Sequence, residues 1–362
     1  MVTCIASMPA ASGPFDKHVE SLAYAGGKPG ASARIRQCPE DFRVTEIPLL
    51  EPDGEGEHVW LWIRKRDENT QHVAEQLSSH AGVHPRQVSY AGMKDRRAVT
   101  EQWFSVQLPG REEPDWLAMN SDNLTVLRHA RHSRKLRRGT LKGNLFVITL
   151  RDISGDQQLL EQRLVNIRDK GVPNYFAEQR FGRGGSNLYM ADKMFRNPGL
   201  RLSRNKRGLT LSAARSFLFN QLLSLRVLAG NWDVPVIGDA MQLHGSHSFF
   251  IAESPDADLL SRVASQDIHP TGPLHGRGES PARGDCVVLE RTVLDANADW
   301  CAGLEQAGLE QDRRALRLGV SDLVWQWVNA GELLLTFSLP AGAYATSVLR
   351  EVACCSVVER SS

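Results

Sequence analysis

The stretch His58–Arg66 reads His-Val-Trp-Leu-Trp-Ile-Arg-Lys-Arg and carries a strong β-strand pattern. Its side chains alternate, so that Val59, Leu61 and Ile63 fall on one face and the two tryptophans on the other. Large apolar side chains on both faces are typical of a strand whose two faces are both covered. The stretch therefore predicts a long strand in the interior of a sheet.

The segments around this strand predict further elements. Phe42–Ile47 alternates in the same way and predicts a second strand. Thr70–Ala81 has helical spacing and is followed by Gly82, a common helix stop. Leu211–Leu228 is the clearest helix, because its leucines recur on one stripe.

Toward the C-terminus, residues 267–285 are rich in Gly and Pro and predict a loop. Ala296–Leu318 predicts a charged helix, and Leu333–Leu339 predicts a strand. Strands and helices are mixed along the chain without a regular strand–helix alternation. The fold class we expect is therefore α+β rather than a doubly wound parallel sheet.

Composition limits the class of protein. The chain has 362 residues, 41% hydrophobic and 23% charged, which predicts a folded protein large enough for two domains. With 43 Lys and Arg against 42 Asp and Glu, the net charge is +1, which excludes a globally basic nucleic-acid coat but allows a local basic patch. No apolar run approaches the roughly 20 residues of a membrane span, and the six cysteines lack zinc-site spacing. We expect a cytoplasmic protein with no membrane partner and no metal.

Several familiar catalytic motifs are absent from the sequence. It contains no phosphate-binding P-loop, no His-Glu-x-x-His metal motif and no Gly-x-Ser-x-Gly nucleophile elbow. The glycine-rich stretch 182–185 lacks the spacing of a dinucleotide site. We therefore expect no nucleotide cofactor.

Residues 91–100 place one carboxylate among cations. Asp95 follows Lys94 in a Gly-containing loop between two predicted strands, and Arg96 and Arg97 come directly after it. A solvated charged turn accounts for this composition. The alternative is a preorganised carboxylate that serves as a nucleophile or base in an electropositive site.

A basic run extends from Arg128 to Lys142, with seven Lys or Arg residues and no acidic residue. Such a run is usually a solvated face, but in a chain of near-neutral net charge a footprint for a polyanion is equally reasonable, so both interpretations stay open. A looser basic cluster spans Arg196–Arg207. We expect the acidic stretch Glu51–Glu57 to face away from this charge.

Two further positions are ambiguous from their local sequence. Asn144 precedes an apolar strand, where Asn is a turn residue more often than a ligand. Tyr344 follows a Pro and a Gly at the start of a short predicted helix, where a packed ring and a functional ring are both reasonable.

Long motifs resemble one known family, the TruD family of tRNA pseudouridine synthases. They include Pro39-Glu-Asp-Phe42, Gly92-Met-Lys-Asp95 and Leu141-Lys-Gly-Asn144. The stretches that begin at Gly171, Leu211 and Leu339 match as well, in the expected order. The resemblance extends from about residue 23 to residue 352.

The resemblance implies a fold, a domain organisation and an activity. The fold would be a pseudouridine-synthase catalytic core with a mixed, largely antiparallel sheet, formed by residues 1–170 and 318–362. A family-specific α/β insertion domain would occupy residues 171–317. The activity would be isomerisation of uridine to pseudouridine in tRNA, at position 13 in the D arm, without metal or cofactor.

The resemblance also implies roles for particular residues. Asp95 matches the catalytic aspartate of the family, and the uridine-contacting positions correspond to Phe42, Asn144 and Tyr344. Many relatives have Phe where this chain has Tyr344. Arg36 matches a basic position of the family and is the candidate charge partner of Asp95, with Lys94 and Arg350 as alternatives.

Two other function classes remain open from the sequence. One is an RNA-binding protein or RNA chaperone that has lost catalysis, which the intact Asp95 motif disfavours. The other is a hydrolase of nucleosides or glycosides, which would also use a carboxylate. The product distinguishes them, because isomerisation leaves the mass of the RNA unchanged whereas base removal lowers it.

Overall fold

A computed structural model describes residues 15–197 and 199–357. Cys4 and the first part of the N-terminal segment lie outside the described residues. The chain divides into two compact units. The helical unit comprises residues 15–29, Glu161–Gly319 and Thr346–Val352, and the sheet unit comprises Gly30–Leu160, Val320–Ala345 and residues 353–357.

The described residues form both β-strands and α-helices, numbered in chain order. The strands are β1 Ser32–Ile35, β2 Phe42–Pro48, β3 His58–Arg66, β4 Val88–Tyr90, β5 Val99–Gln107, β6 Leu124–His132, β7 Leu141–Ser154, β8 Val172–Pro173, β9 Ala240–Leu243, β10 Phe249–Ile251, β11 Ile268–Leu274, β12 Asp312–Ala315, β13 Arg317–Leu318, β14 Ser321–Asn329, β15 Glu332–Pro340 and β16 Cys354–Val357. The α-helices are α1 Thr70–His80, α2 Gln157–Lys170, α3 Glu178–Phe181, α4 Ser186–Arg196, α5 Arg204–Leu228, α6 Ala257–Ala264, α7 Gly284–Asp295, α8 Ala298–Gln306 and α9 Ala345–Val352.

The sheet unit is built on a mixed sheet, which has ten strands among the described residues. Seven of them follow the order β14-β15-β7-β2-β5-β3-β6, while β1 and β16 extend from β7 and β4 pairs with β5. The pairs β2–β5 and β1–β16 are parallel, and the other pairs are antiparallel. The mixed, largely antiparallel sheet with its accompanying helices confirms the α+β class.

The stretch His58–Arg66 is β3, paired on both edges with β5 and β6. Val59, Leu61 and Ile63 pack against helix α1 in one core cluster. Trp60 and Trp62 lie in a different cluster, so both faces of the strand are covered. The alternation in the sequence therefore predicted the burial of this strand correctly.

The helical unit has its own small sheet, with the order β10-β9-β11-β12, and a short pair formed by β8 and β13. Its longest helix, α5, begins seven residues before the predicted start at Leu211. The side-chain oxygen of Ser203 accepts from the backbone N of Lys206 at 3.4 Å, and this N-cap sets the start of the helix.

Two predictions in this unit are wrong. Residues 268–274 form strand β11 rather than a loop, with its first half paired to β9 and its second half to β12. The predicted helix 296–318 ends at Gln306, because Gly308 has a φ of +83° and the chain continues into β12. Tertiary strand pairing overrides local composition in both places. The domain boundaries at residues 171 and 317 stay a prediction.

Candidate active site

The loop between β4 and β5 carries Asp95, and side chains of the sheet unit fix its backbone. The hydroxyl of Thr70 accepts from the backbone N of Lys94 at 3.0 Å. The amide of Gln102, which is fully buried in β5, donates to the carbonyl of Gly92 at 2.9 Å. The position of Asp95 is thus set by bonds to two different elements rather than by the loop alone.

Lys65 is a further anchor of this loop. Its ammonium donates to the carbonyls of Asp95 and Glu68, at 2.7 Å each, and the residue is fully buried. Burial lowers the pKa of Lys65 to about 8, partly opposed by the charge of Asp95. Lys65 is not among the site residues predicted from the sequence, although it continues the inward face of Val59, Leu61 and Ile63.

The carboxylate of Asp95 lies beside Arg36. Arg36 Nη2 is 3.0 Å from Asp95 Oδ1, with 13% and 26% of the two side chains exposed. The guanidinium also lies over the ring of Phe42, 4.0 Å from its centroid. Of the three cations considered from the sequence, Arg36 is therefore in ion-pair contact with Asp95.

Arg36 adopts an uncommon backbone conformation, with a φ of +58°. A non-glycine residue in the left-handed region costs about 1 kcal/mol or more. This conformation accompanies the placement of the guanidinium between the Asp95 carboxylate and the Phe42 ring. Such outliers cluster at functional sites.

A short turn sets the position of Phe42. Asp41, which is nearly fully buried, accepts from the backbone N of Cys38 at 3.1 Å and from Arg151 Nε at 2.8 Å. Phe42 begins β2 directly after this turn and is 1% exposed. Arg36 covers one face of this buried ring.

The other two cations considered from the sequence have different partners. Lys94 Nζ is 2.8 Å from Glu46 Oε2, with 4% and 0% of the two side chains exposed. Arg350, in the helical unit, is 3.1 Å from Glu351. The Lys94–Glu46 ion pair also connects the Asp95 loop to strand β2.

Asn144 lies in β7, opposite Glu46 of β2 and Leu339 of β15. Its Oδ1 is buried and has no hydrogen-bond partner within the described residues. The preceding position, 143, requires glycine, because a Cβ there would overlap the carbonyl oxygen of Leu339. Asn144 and the Asp95 loop are therefore connected through Glu46 and Lys94.

Tyr344 follows β15 and is half-buried. The segment that carries it turns at Gly342, which has a φ of +81°, and is held to β7 by a bond of 3.2 Å from Ala341 N to Lys142 O. The structure thus places Arg36 in contact with both Phe42 and Asp95. Asn144 lies on β7, which pairs with the strand β2 that carries Phe42. Tyr344 lies on the loop that follows β15, the other neighbour of β7.

Residues 133–140, which we call the basic loop, connect β6 and β7. Trp60 Nε1 donates to the carbonyl of Arg134 at 3.0 Å, and Ser105 Oγ accepts from Leu136 N at 3.2 Å. The loop backbone is therefore fixed to the sheet, while three guanidinium groups are exposed: those of Arg134, Arg137 and Arg138.

One expectation about charge is contradicted. Glu51 Oε2 lies 3.1 Å from Arg128 Nη2, and Asp53 accepts from the hydroxyl of Ser133 at 2.5 Å. The acidic stretch Glu51–Glu57 therefore contacts the beginning of the basic run instead of facing away. It pairs with the β6 end of the run.

Residues 15–197 and 199–357 contain no group of three or more His, Cys, Asp or Glu side chains that could hold a metal ion. Across the same two ranges, no helix has both the length and the apolar character needed to span a membrane.

Comparisons with known proteins identify the family. The family model described as tRNA pseudouridine synthase D (TruD) matches residues 18–197 and 186–352. The chain belongs to the TruD family. A tRNA pseudouridine synthase D from Methylococcus capsulatus is 52% identical over 333 residues, covering 92% of this chain and 94% of the relative. One from Nitrosococcus oceani is 53% identical, covering 91% and 93%.

The TruD family model spans Arg36, Phe42, Asp95, Asn144 and Tyr344. A crystal structure of a Methanosarcina mazei protein assigned as tRNA pseudouridine synthase D superposes with a TM-score of 0.72. The two chains are 23% identical, and the match covers 93% of this chain and 97% of the other. The TruD fold is thereby confirmed.

Proposed function

We propose that this protein isomerises uridine to pseudouridine in tRNA, at position 13 in the D arm, and that Asp95 carries the chemistry. One observation supports the site most directly. Arg36 contacts Asp95, yet its Nε is buried without a hydrogen-bond partner among the described residues, as is Asn144 Oδ1. Buried polar atoms are nearly always paired, so this donor and this acceptor suit a polar ligand.

The chemistry requires little beyond these groups. The bond between the sugar and a uracil nitrogen breaks, the base turns, and a bond from the same sugar carbon to a uracil carbon forms. The uracil carbon gives up its proton, and the released nitrogen is protonated, so no atom is gained or lost. Asp95 acts at the sugar–base junction as nucleophile or base, and the Arg36 guanidinium offsets the negative charge that develops nearby.

The remaining residues hold the base. The amide of Asn144 offers an acceptor and two donors, which suits the alternating donors and acceptors on the edge of uracil. Tyr344 supplies a half-buried ring for stacking. Phe42 supports Arg36 and forms one wall of the pocket. Because the target is stacked in folded tRNA, it must be flipped out at a cost of a few kcal/mol, and stacking on a ring recovers about 1–3 kcal/mol.

We place the catalytic core in the sheet unit, which contains all five site residues. We assign the family-specific insertion to residues 171–317 of the helical unit. The exposed arginines of the basic loop would contact RNA phosphates and hold the tRNA beside Asn144. No metal or nucleotide cofactor takes part in this scheme, and the setting is the cytoplasm, where tRNA is found.

The test is incubation of the purified protein with unmodified tRNA transcripts, followed by mapping of pseudouridine through a base-specific chemical adduct. We expect one modified uridine in the D arm with wild type and none with Asp95→Asn. Asp152→Asn is a matched control, since Asp152 pairs with Arg34 at 3.3 Å on the surface of the same unit. Loss of RNA mass would indicate a hydrolase, and tRNA binding without conversion would indicate an RNA-binding protein.

A further inference from the structure

We propose that Met93 is a positioning residue that contacts the RNA bases next to the target uridine and occupies the space the uridine leaves when it flips out. This inference rests on the proposed function and adds a residue to it. Its basis is an apolar side chain exposed on a loop that is otherwise held in place by buried polar bonds.

Met93 is 62% exposed, although it is a large apolar residue. It precedes Asp95 by two residues, so the two Cα atoms are at most about 7 Å apart. Its neighbour Lys94 is buried in an ion pair, which means that the chain turns the charged side chain inward and the apolar one outward. Charged side chains are ordinarily exposed and large apolar ones buried, and these two neighbouring residues show the reverse.

The exposure of Met93 does not come from a loosely held loop. The backbone on both sides is bonded, at Gly92 to Gln102 and at Lys94 to Thr70. The carbonyl of Asp95 is bonded to Lys65. A side chain presented from a fixed backbone loses less conformational freedom when it contacts a ligand.

The surroundings favour RNA as the contacting partner. Arg96 and Arg97 follow Met93 three and four positions later on the same loop, and both are exposed. A single exposed apolar side chain on a loop with two exposed arginines does not form the contiguous apolar patch that a protein partner requires. It matches a base stack with its adjoining phosphates, because arginines bind phosphates and a thioether packs on aromatic faces.

The chemistry of methionine defines the role. The side chain has no strong donor or acceptor, so it does not read the edge of a base. Apolar side chains inserted between bases unstack them, and Met is among the residues that do so. Met93 would therefore promote flipping of the uridine toward Asp95 and keep the vacated stack filled.

The experiment measures single-turnover pseudouridine formation with saturating enzyme on two substrates. One is a tRNA whose modified site has been mapped with wild type, and the other is the same tRNA with an abasic nucleotide beside that site. We expect Met93→Ala to slow the reaction about tenfold on the intact tRNA, the equivalent of one lost apolar contact. The deficit should shrink to about twofold on the abasic tRNA, where flipping costs less.

Controls separate this role from misfolding. Met93→Leu keeps an apolar side chain of similar volume and should restore the rate to within about threefold of wild type. Leu117→Ala removes an apolar side chain that is 58% exposed elsewhere in the sheet unit and should be silent. Equal deficits of Met93→Ala on both tRNAs, or no deficit on either, would overturn the proposal. If wild type itself forms no pseudouridine, the proposed function fails, which is a distinct result.

Discussion

Two arginine–aspartate pairs, one in each unit, differ in how completely the hydrogen-bond donors of the arginine are used. In the helical unit, Arg226 Nη1 and Nη2 bond both oxygens of Asp239 at 2.9 Å, with 1% and 0% of the side chains exposed. The backbone carbonyls of Asn231 and Val234 accept further hydrogen bonds from the Arg226 guanidinium. Backbone N of Val236 donates to the Asp239 carboxylate at 2.7 Å.

The Arg36–Asp95 pair is built differently. Arg36 Nη2 lies 3.0 Å from Asp95 Oδ1, and both side chains are more exposed than those of the Arg226–Asp239 pair. Arg36 also retains a buried Nε without a partner among the described residues. The Arg226–Asp239 pair uses its hydrogen-bonding capacity to hold the backbone of residues 231–239. In the function that we propose, the unpaired Arg36 Nε is available to a ligand.

The comparison predicts opposite effects for the two Asp→Asn changes, and these are the largest effects we expect. Asp95→Asn should lower pseudouridine formation by more than about 10³-fold and change the free energy of unfolding little. Asp239→Asn should cost about 3–5 kcal/mol of stability, because Arg226 is left buried without a countercharge. Single-turnover rates and urea unfolding measure the two quantities.

Two results would break this comparison. One is turnover by Asp95→Asn at near wild-type rate, which would remove Asp95 from the chemistry. The other is an unfolding free energy for Asp239→Asn close to that of wild type. A binding assay with labelled tRNA serves as the control, since Asp95→Asn should bind nearly as well as wild type.

Lys65 extends the comparison to a buried cation held by carbonyls. Its pKa of about 8 in the folded protein is below the unfolded value of 10.5, so the folded state releases the proton first. The cost of burying the charge is therefore fully present below pH 8 and is relieved as pH rises to 10.5. The free energy of unfolding of wild type relative to that of Lys65→Met should rise by about 2–3 kcal/mol between pH 7 and pH 10.

Urea unfolding of both proteins at each pH tests this, and the difference between them cancels the titration of other groups. A flat difference would mean that Lys65 is not buried as described. At pH 7, Lys65→Met should also slow the reaction about tenfold or more, since the carbonyls of Asp95 and Glu68 lose their donor. Lys65→Arg should not restore the rate, because position 65 is fully buried and the guanidinium is larger than the ammonium that it replaces.

Variants of the basic loop test whether its exposed arginines bind the phosphates of the tRNA. Changing Arg134, Arg137 and Arg138 to Gln should weaken tRNA binding and lower the log–log salt slope by up to about 2–3. A charge-matched triple in the helical unit, Arg168, Arg277 and Arg291 to Gln, is the control. Equal slopes for wild type and the loop variant would show that these arginines do not touch the RNA.

The smallest effect concerns the ring of Tyr344. Tyr344→Phe should change the rate less than about twofold if the ring stacks on the base, whereas Tyr344→Ala should lower it about tenfold or more. Kinetics on a tRNA transcript measure both variants. A large loss in Tyr344→Phe would assign the contact to the hydroxyl instead.

The sequence predicted different parts of this molecule with different success. The alternation in β3 was visible because a strand buried on both faces needs large apolar residues on both. Strand β11 was missed because its Gly and Pro residues are typical of loops, and only its pairing with β9 and β12 makes it a strand. Local composition contains no information about distant partners.

The site shows the same division. The motif around Asp95 was recognisable as a continuous stretch, and so were the positions of Phe42, Asn144 and Tyr344 within the family pattern. Lys65 and the Glu46–Lys94 pair were not recognised, because a lysine in a strand is ordinarily exposed. Their contacts depend on which distant part of the chain packs against them: the Asp95 loop against Lys65, and β2 against Lys94.

By itself, the sequence determined the mixed class, the order of the motifs and the loop motif that carries Asp95, since each depends on residues close together in the chain. Only the tertiary structure decided which of three cations faces Asp95. Arg36 reaches the carboxylate from 59 positions away through a left-handed backbone residue. Lys94 is the immediate neighbour of Asp95 in the chain, yet its side chain contacts Glu46, where the two charges are buried together. Sequence distance does not determine side-chain direction, and the strand register that brings Glu46 beside the loop arises only when the sheet is complete.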